Sequence, residues 1–62
     1  MNPGDNIRKR RKEKKLSRLE LSKLSNVAAI TIKKIESNNY NPSIRILSNI
    51  AKGLECDLKD LL

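Results

Sequence analysis

Apolar residues recur along this chain at spacings of three and four, and nowhere do they alternate as a half-buried strand requires. The clearest run is Ile44, Leu47, Ile50, Ala51 and Leu54, a core stripe on one helical face, with Ser43 placed to cap its start. A second run, "SNVAAITIKKIESN" over 25–38, predicts a turn at Asn26 and a helix from Ala28 to Ser37. Wound at 3.6 residues per turn, that helix sends Ala28, Thr31, Ile32 and Ile35 to one face and Ala29, Ile30, Lys33, Lys34 and Ser37 to the other. Ile30 then stands among polar neighbours on a face that water should cover.

Cap chemistry fixes the remaining elements. Asn2 followed by Pro3, with Asp5 in the first turn, predicts a first helix from Pro3 to Lys14 anchored by Ile7. Ser17 and Glu20 have the S-x-x-E spacing in which each side chain satisfies the other's backbone donor, so a short second helix ends near Ser25. "NNYNPS" over 38–43 reads as a loop. Asp57 can cap a last short helix from Leu58 to Leu62, giving an all-α chain of five helices in one domain, 1–62.

A chain of 62 residues has one small core at most. It contains no histidine, one cysteine (Cys56) and one aromatic residue (Tyr40), so neither a Cys/His zinc site nor a histidine-activated nucleophile can be assembled from one copy. No catalytic role, metal or cofactor is expected. Cys56 has no partner for an internal disulfide, which suits a reducing cytoplasm. The chain has no apolar run near the roughly 20 residues needed to cross a bilayer, and no secretory signal is expected.

Charge is unevenly placed. Of the 14 lysines and arginines, all but Arg45, Lys52 and Lys59 lie before residue 35, while four of the seven acids lie after it. A basic half on a small domain points to a polyanion, either nucleic acid or an anionic membrane surface. The plain alternative for the densest stretch, "RKRRKEKK" over 8–15, is a solvated helix face or a basic arm.

Short helices with a tight turn between the second and third, "LS" before helix 2, a small Ser22 within it, "T-I-x-x-I-E" at Thr31–Glu36 and "NPS" at Asn41–Ser43 together resemble the lambda-repressor-like (Cro/XRE) helix-turn-helix family. The resemblance covers nearly the whole chain. It departs from the family pattern at several positions. Asn26 and Lys15 stand where glycine is usual, Ala28 lacks the hydroxyl that usually caps helix 3, Arg10 replaces a core leucine, and Arg18 replaces a glutamine. Loss of the cap at Ala28 should let the first turn of helix 3 fray, and Arg10 should lay its stem on the core edge with its guanidinium in solvent.

What the resemblance implies is double-stranded DNA binding with helix 3 in the major groove. Ala29, Ile30 and Lys33 would meet base edges, Lys33 at guanine and the apolar pair at thymine methyls. Arg18, Thr31, Lys34, Asn39, Tyr40, Asn41 and Arg45 would lie toward phosphates. Arg11 and Glu36 would form an ion pair that orients helix 3. The plain alternatives are a merely exposed Ile30, a Tyr40 ring covering Pro42, and two independent charges at Arg11 and Glu36. The expectation is a cytoplasmic, sequence-specific transcriptional repressor or other regulator, binding a two-fold operator as a homodimer. An uncovered Leu61 or Leu62 would supply the self-complementary patch. The alternative is an antitoxin-like module of the same fold that meets a protein partner through Leu19, Ile30 and the Leu61–Leu62 end.

Overall fold

The structure, a computed structural model, describes residues 2–62. Four α-helices follow one another: α1 (Pro3–Glu13), α2 (Arg18–Ser25), α3 (Ala29–Glu36) and α4 (Ile44–Leu54). Each start has a local cause, with one exception. Asn2 Oδ1 accepts from the Asp5 amide at 3.0 Å, Ser43 Oγ accepts from the Ile46 amide at 3.2 Å, and Ser17 and Glu20 close a reciprocal box at the head of α2. Those bonds from Ser17 hold the Glu20 carboxyl below its ordinary range, its backbone amide contributing most. Because the folded value is the lower one, this contribution is present above the ordinary carboxylate range and fades as pH falls through it. The exception is α3, whose cap position is Ala28 and has no side-chain cap.

Helix ends are made by left-handed residues that are not glycine. Lys15, Asn38 and Glu55 have φ of 56°, 63° and 57°, and the amides that follow them (Leu16, Asn39, Cys56) donate back to the carbonyls of Arg11, Lys34 and Ala51. Asn26, at φ 61°, makes the turn between α2 and α3, with its amide on the Ser22 carbonyl at 2.9 Å.

The core joins all four helices through Ile7, Leu21, Val27, Ile32, Ile35, Leu47, Ile50, Ala51 and Leu54. Two glycines set how closely they meet. A Cβ on Gly4 would collide with the Ile35 carbonyl oxygen, and one on Gly53 would lie 3.1 Å from Ser25 Cβ, so α1 rests on the end of α3 and α4 on α2.

Four expectations are corrected. The fifth helix is a single 3-10 turn, Leu58–Asp60, held by i→i+3 bonds from Asp60 to Asp57 and from Leu61 to Leu58. The tighter turn is what delivers Leu61 to the core. Leu61 is fully buried, so it is unavailable as a dimer patch or partner contact, whereas Leu62 is exposed. Ile44 is 60% exposed rather than core: it occupies the first turn of α4, about 70° around the helix from the centre of the stripe that Leu47, Ile50, Ala51 and Leu54 form. On α3, Ile32 and Ile35 are buried, but Thr31 is only half-buried and Ala28, outside the helix, is exposed.

Candidate nucleic-acid interface

A buried carboxylate lies where α1, α2 and α3 converge. Glu36 ends α3 on its inward face, with its side chain 2% exposed. Arg11 Nε donates to Glu36 Oε2 at 2.8 Å and Arg11 Nη2 to Oε1 at 3.1 Å, a two-pronged pairing that matches guanidinium to carboxylate. The third nitrogen, Arg11 Nη1, donates to the Leu16 carbonyl at 2.8 Å. Arg18, first residue of α2, adds its Nε to Glu36 Oε1 at 3.1 Å. One buried carboxylate therefore receives three charge-assisted bonds from two arginines. No buried side-chain nitrogen or oxygen is without a partner among the described residues.

Arg11 and Arg18 are held differently. Arg11 is consumed by its contacts and buried. The Arg18 side chain remains 42% exposed, and only its Nε is engaged among the described residues. Its terminal nitrogens are left beside the α2 N-terminus, where backbone amides also lack helical partners.

Along α3, the residues expected at base edges fall on the outer face. Ile30 is 59% exposed and Lys33 exposed, while Ala29 is half-buried. Lys34 is exposed beside them and Thr31 half-buried. Past the helix, the Ser37 hydroxyl donates toward the Lys33 and Lys34 carbonyls, and Asn39 Nδ2 reaches Ser37 Oγ at 3.4 Å. Asn39, Tyr40 and Asn41 are exposed in the loop, and Arg45 is exposed in the first turn of α4. Tyr40 and Pro42 line one open cleft of about 430 Å³ with Pro3 and Gly4 of α1, together with Ile35 and Asn38. Arg18, the outer residues Ile30, Lys33 and Lys34 of α3, and the 39–41 loop are thus solvent-facing groups, and of these only Arg18 touches Glu36.

Sequence reasoning missed the bond between Arg18 and Glu36. Eighteen positions separate them, and no spacing rule brings a helix start to a distant helix end. It also missed Leu24, which is 59% exposed on α2. Arg10 is half-buried with Nη2 3.8 Å from Asp60 Oδ1, a loose ion pair at the core edge. Burial pushes the Cys56 thiol up, Arg10 pulling against it, so that thiol is a poor nucleophile. Among the described residues no cluster of acids and cysteine could hold a metal, and no helix is long and apolar enough to cross a membrane.

A family model described as helix-turn-helix matches residues 7–61, nearly the whole chain. No curated protein and no solved structure matches it.

Proposed function

Because the chain belongs to the Cro/C1-type helix-turn-helix family of DNA-binding regulator domains, we propose that it is a sequence-specific, cytoplasmic regulator of transcription, most simply a repressor. The observation that carries this reading is an exposed outer face of α3 on a helix whose far end is pinned by the Arg11–Glu36–Arg18 cluster. A recognition helix must present side chains to the major groove, about 12 Å wide, at a fixed angle. Ile30 and Ala29 would pack on thymine methyls and Lys33 would donate to guanine. Arg18, held by Glu36, would clamp phosphate without first having to be ordered. Lys34, Thr31 and Arg45, with Asn39, Tyr40 and Asn41, would complete the backbone contacts that set register.

The chemistry calls for no catalytic step. Two copies on a two-fold site would place their α3 helices about 34 Å apart, one turn of duplex. With Leu61 in the core, the contact between copies must use other residues.

Titrating a labelled duplex library and sequencing the bound fraction tests the reading. Enrichment of a short, two-fold motif is expected. If Arg18, Lys33, Lys34, Arg45 and one or two residues of α1 approach phosphates, the log of affinity should fall with log salt at a slope of about −4 to −5 per monomer. A flat response would end the DNA reading. The exposed Leu19 and Ile30, each 59% accessible, favour the second reading, a protein-interaction module. A soluble complex with a second protein and no duplex enrichment would select it.

A further inference from the structure

We propose that the flank of α1 carrying Arg8 and Lys12, continued by Lys15, binds the DNA backbone beside the segment that α3 reads. The proposal rests on the DNA-binding reading above and names which residues of the basic run take part and on which flank.

Each residue turns an α-helix by about 100°. Gly4, Ile7 and Arg11 face inward from α1. One flank beside them is committed to the far end of the chain: Asn6 Nδ2 donates to the Leu61 carbonyl at 3.1 Å, Arg10 meets Asp60, and Lys14 Nζ lies 3.2 Å from Glu55 Oε1. The opposite flank, about 60° to 100° around from Arg11, holds Arg8 and Lys12. Both are exposed, and neither has a hydrogen-bond or ion-pair partner among the described residues. Lys15 extends the line, its amide on the Lys12 carbonyl at 3.0 Å. Arg18 follows three residues later, within about 11 Å along the chain.

Two observations oppose a merely solvated face. Arg8 and Lys12 are four apart on a helix, where like charges repel. The helix dipole favours cations only in the last turn, which accounts for Lys12 and not for Arg8. Asp5 lies one turn before Arg8, and Glu13 lies beside Lys12. Against these two acids stand Arg8, Lys9, Lys12 and Lys15, so the exposed side of α1 stays cationic. From Arg8 to Lys15 the line advances about 10 Å, and its three separate cations can each neutralise a phosphate. A row of exposed cations, unpaired among the described residues, fits the phosphate backbone and carries no base information.

The test uses the full chain with Arg8→Gln, Lys12→Gln and Lys15→Gln combined, beside an Arg8→Lys, Lys12→Arg, Lys15→Arg control. All three sites are exposed, so an unchanged thermal midpoint is expected. Affinity is measured against salt on the library-selected duplex and on a scrambled one. The glutamine variant should make the slope less negative by about 2 to 3 on both duplexes alike, while the control keeps the wild-type slope. An unchanged slope with wild-type binding intact overturns the proposal, including when an acidic protein partner is lost instead. A loss of preference between the two duplexes at constant slope also overturns it. Absence of any duplex binding by the wild-type chain is a different result: it removes the DNA reading, and this proposal with it.

Discussion

The two ends of α3 are built in opposite ways. At its C-terminal end Glu36 takes three bonds from Arg11 and Arg18, the Ile35 carbonyl abuts Gly4, and Ser37 and the left-handed Asn38 satisfy the last carbonyls. At its N-terminal end Ala28 offers no side-chain acceptor, and the half-buried Ala29 and exposed Ile30 carry amides that no side-chain cap receives. The helix is aimed from one end and left open at the other. That division suits a reading element, because the open end keeps its donors and apolar surface for a partner, while the closed end supplies the rigidity that makes their placement specific.

The largest expected effect comes from breaking the closed end. Glu36→Ala leaves the Arg11 guanidinium buried without its counter-charge, and about 3 to 5 kcal/mol of stability should be lost. A domain this size holds little more than that in total, so the urea midpoint should fall toward zero. Replacing the pair together, Glu36→Leu with Arg11→Met, should recover much of the loss, because a well-packed apolar pair avoids desolvating both charges. A Glu36→Ala chain as stable as wild type would show that the cluster does not hold α3. Next in size is Gly4→Ala. The added methyl meets the Ile35 carbonyl and lies 2.8 Å from Asn38 Oδ1, and the first of these is backbone that cannot swing aside. A cost of about 1 to 3 kcal/mol is expected in the same urea titration.

The same contrast decides how much was legible in the sequence. The α4 stripe, the Ser17–Glu20 box and the Asn26 turn are local patterns, and the residues that form them lie within a few positions of one another. Reading Ile44 as core failed because it sits at the first turn of α4, about 70° off the centre of the stripe, and reading a whole helix after Asp57 failed because the chain there closes a 3-10 turn that carries Leu61 into the core. The Glu36 cluster is the hardest case: the resemblance implies the Arg11 contact, but Arg18 joins only because α2 starts where α3 ends. Ile30 was legible for the opposite reason, since an apolar residue on a polar face is visible without any partner.

A smaller effect of the opposite sign is expected at the open end. Ala28→Ser supplies the missing hydroxyl at the α3 cap and should stabilise the free protein by about 1 kcal/mol in urea unfolding. If amides at this end are kept for phosphate, the same variant should gain no DNA affinity despite its greater stability. Tighter binding in proportion to stability would mean that fraying, and not an open donor set, is what Ala28 contributes.

Ile30→Ala should have the smallest effect on stability and the most selective effect on function. The side chain is 59% exposed, so truncation should change stability by no more than about 0.5 kcal/mol, in contrast to the 2 to 5 kcal/mol typical of buried isoleucine. If Ile30 packs on a thymine methyl, replacing that thymine by uracil should weaken wild-type binding by about fourfold, the equivalent of roughly 0.8 kcal/mol for one buried carbon. In Ile30→Ala the two duplexes should bind almost equally. A large stability loss would place Ile30 in the core, and retention of the thymine preference would place the methyl contact on Ala29 or elsewhere. Unchanged stability and unchanged DNA affinity, with a protein partner lost, would move the open end of α3 to the interaction reading. Only at this end of the helix can the three readings be separated by one side chain, because only here does removal leave the fold intact.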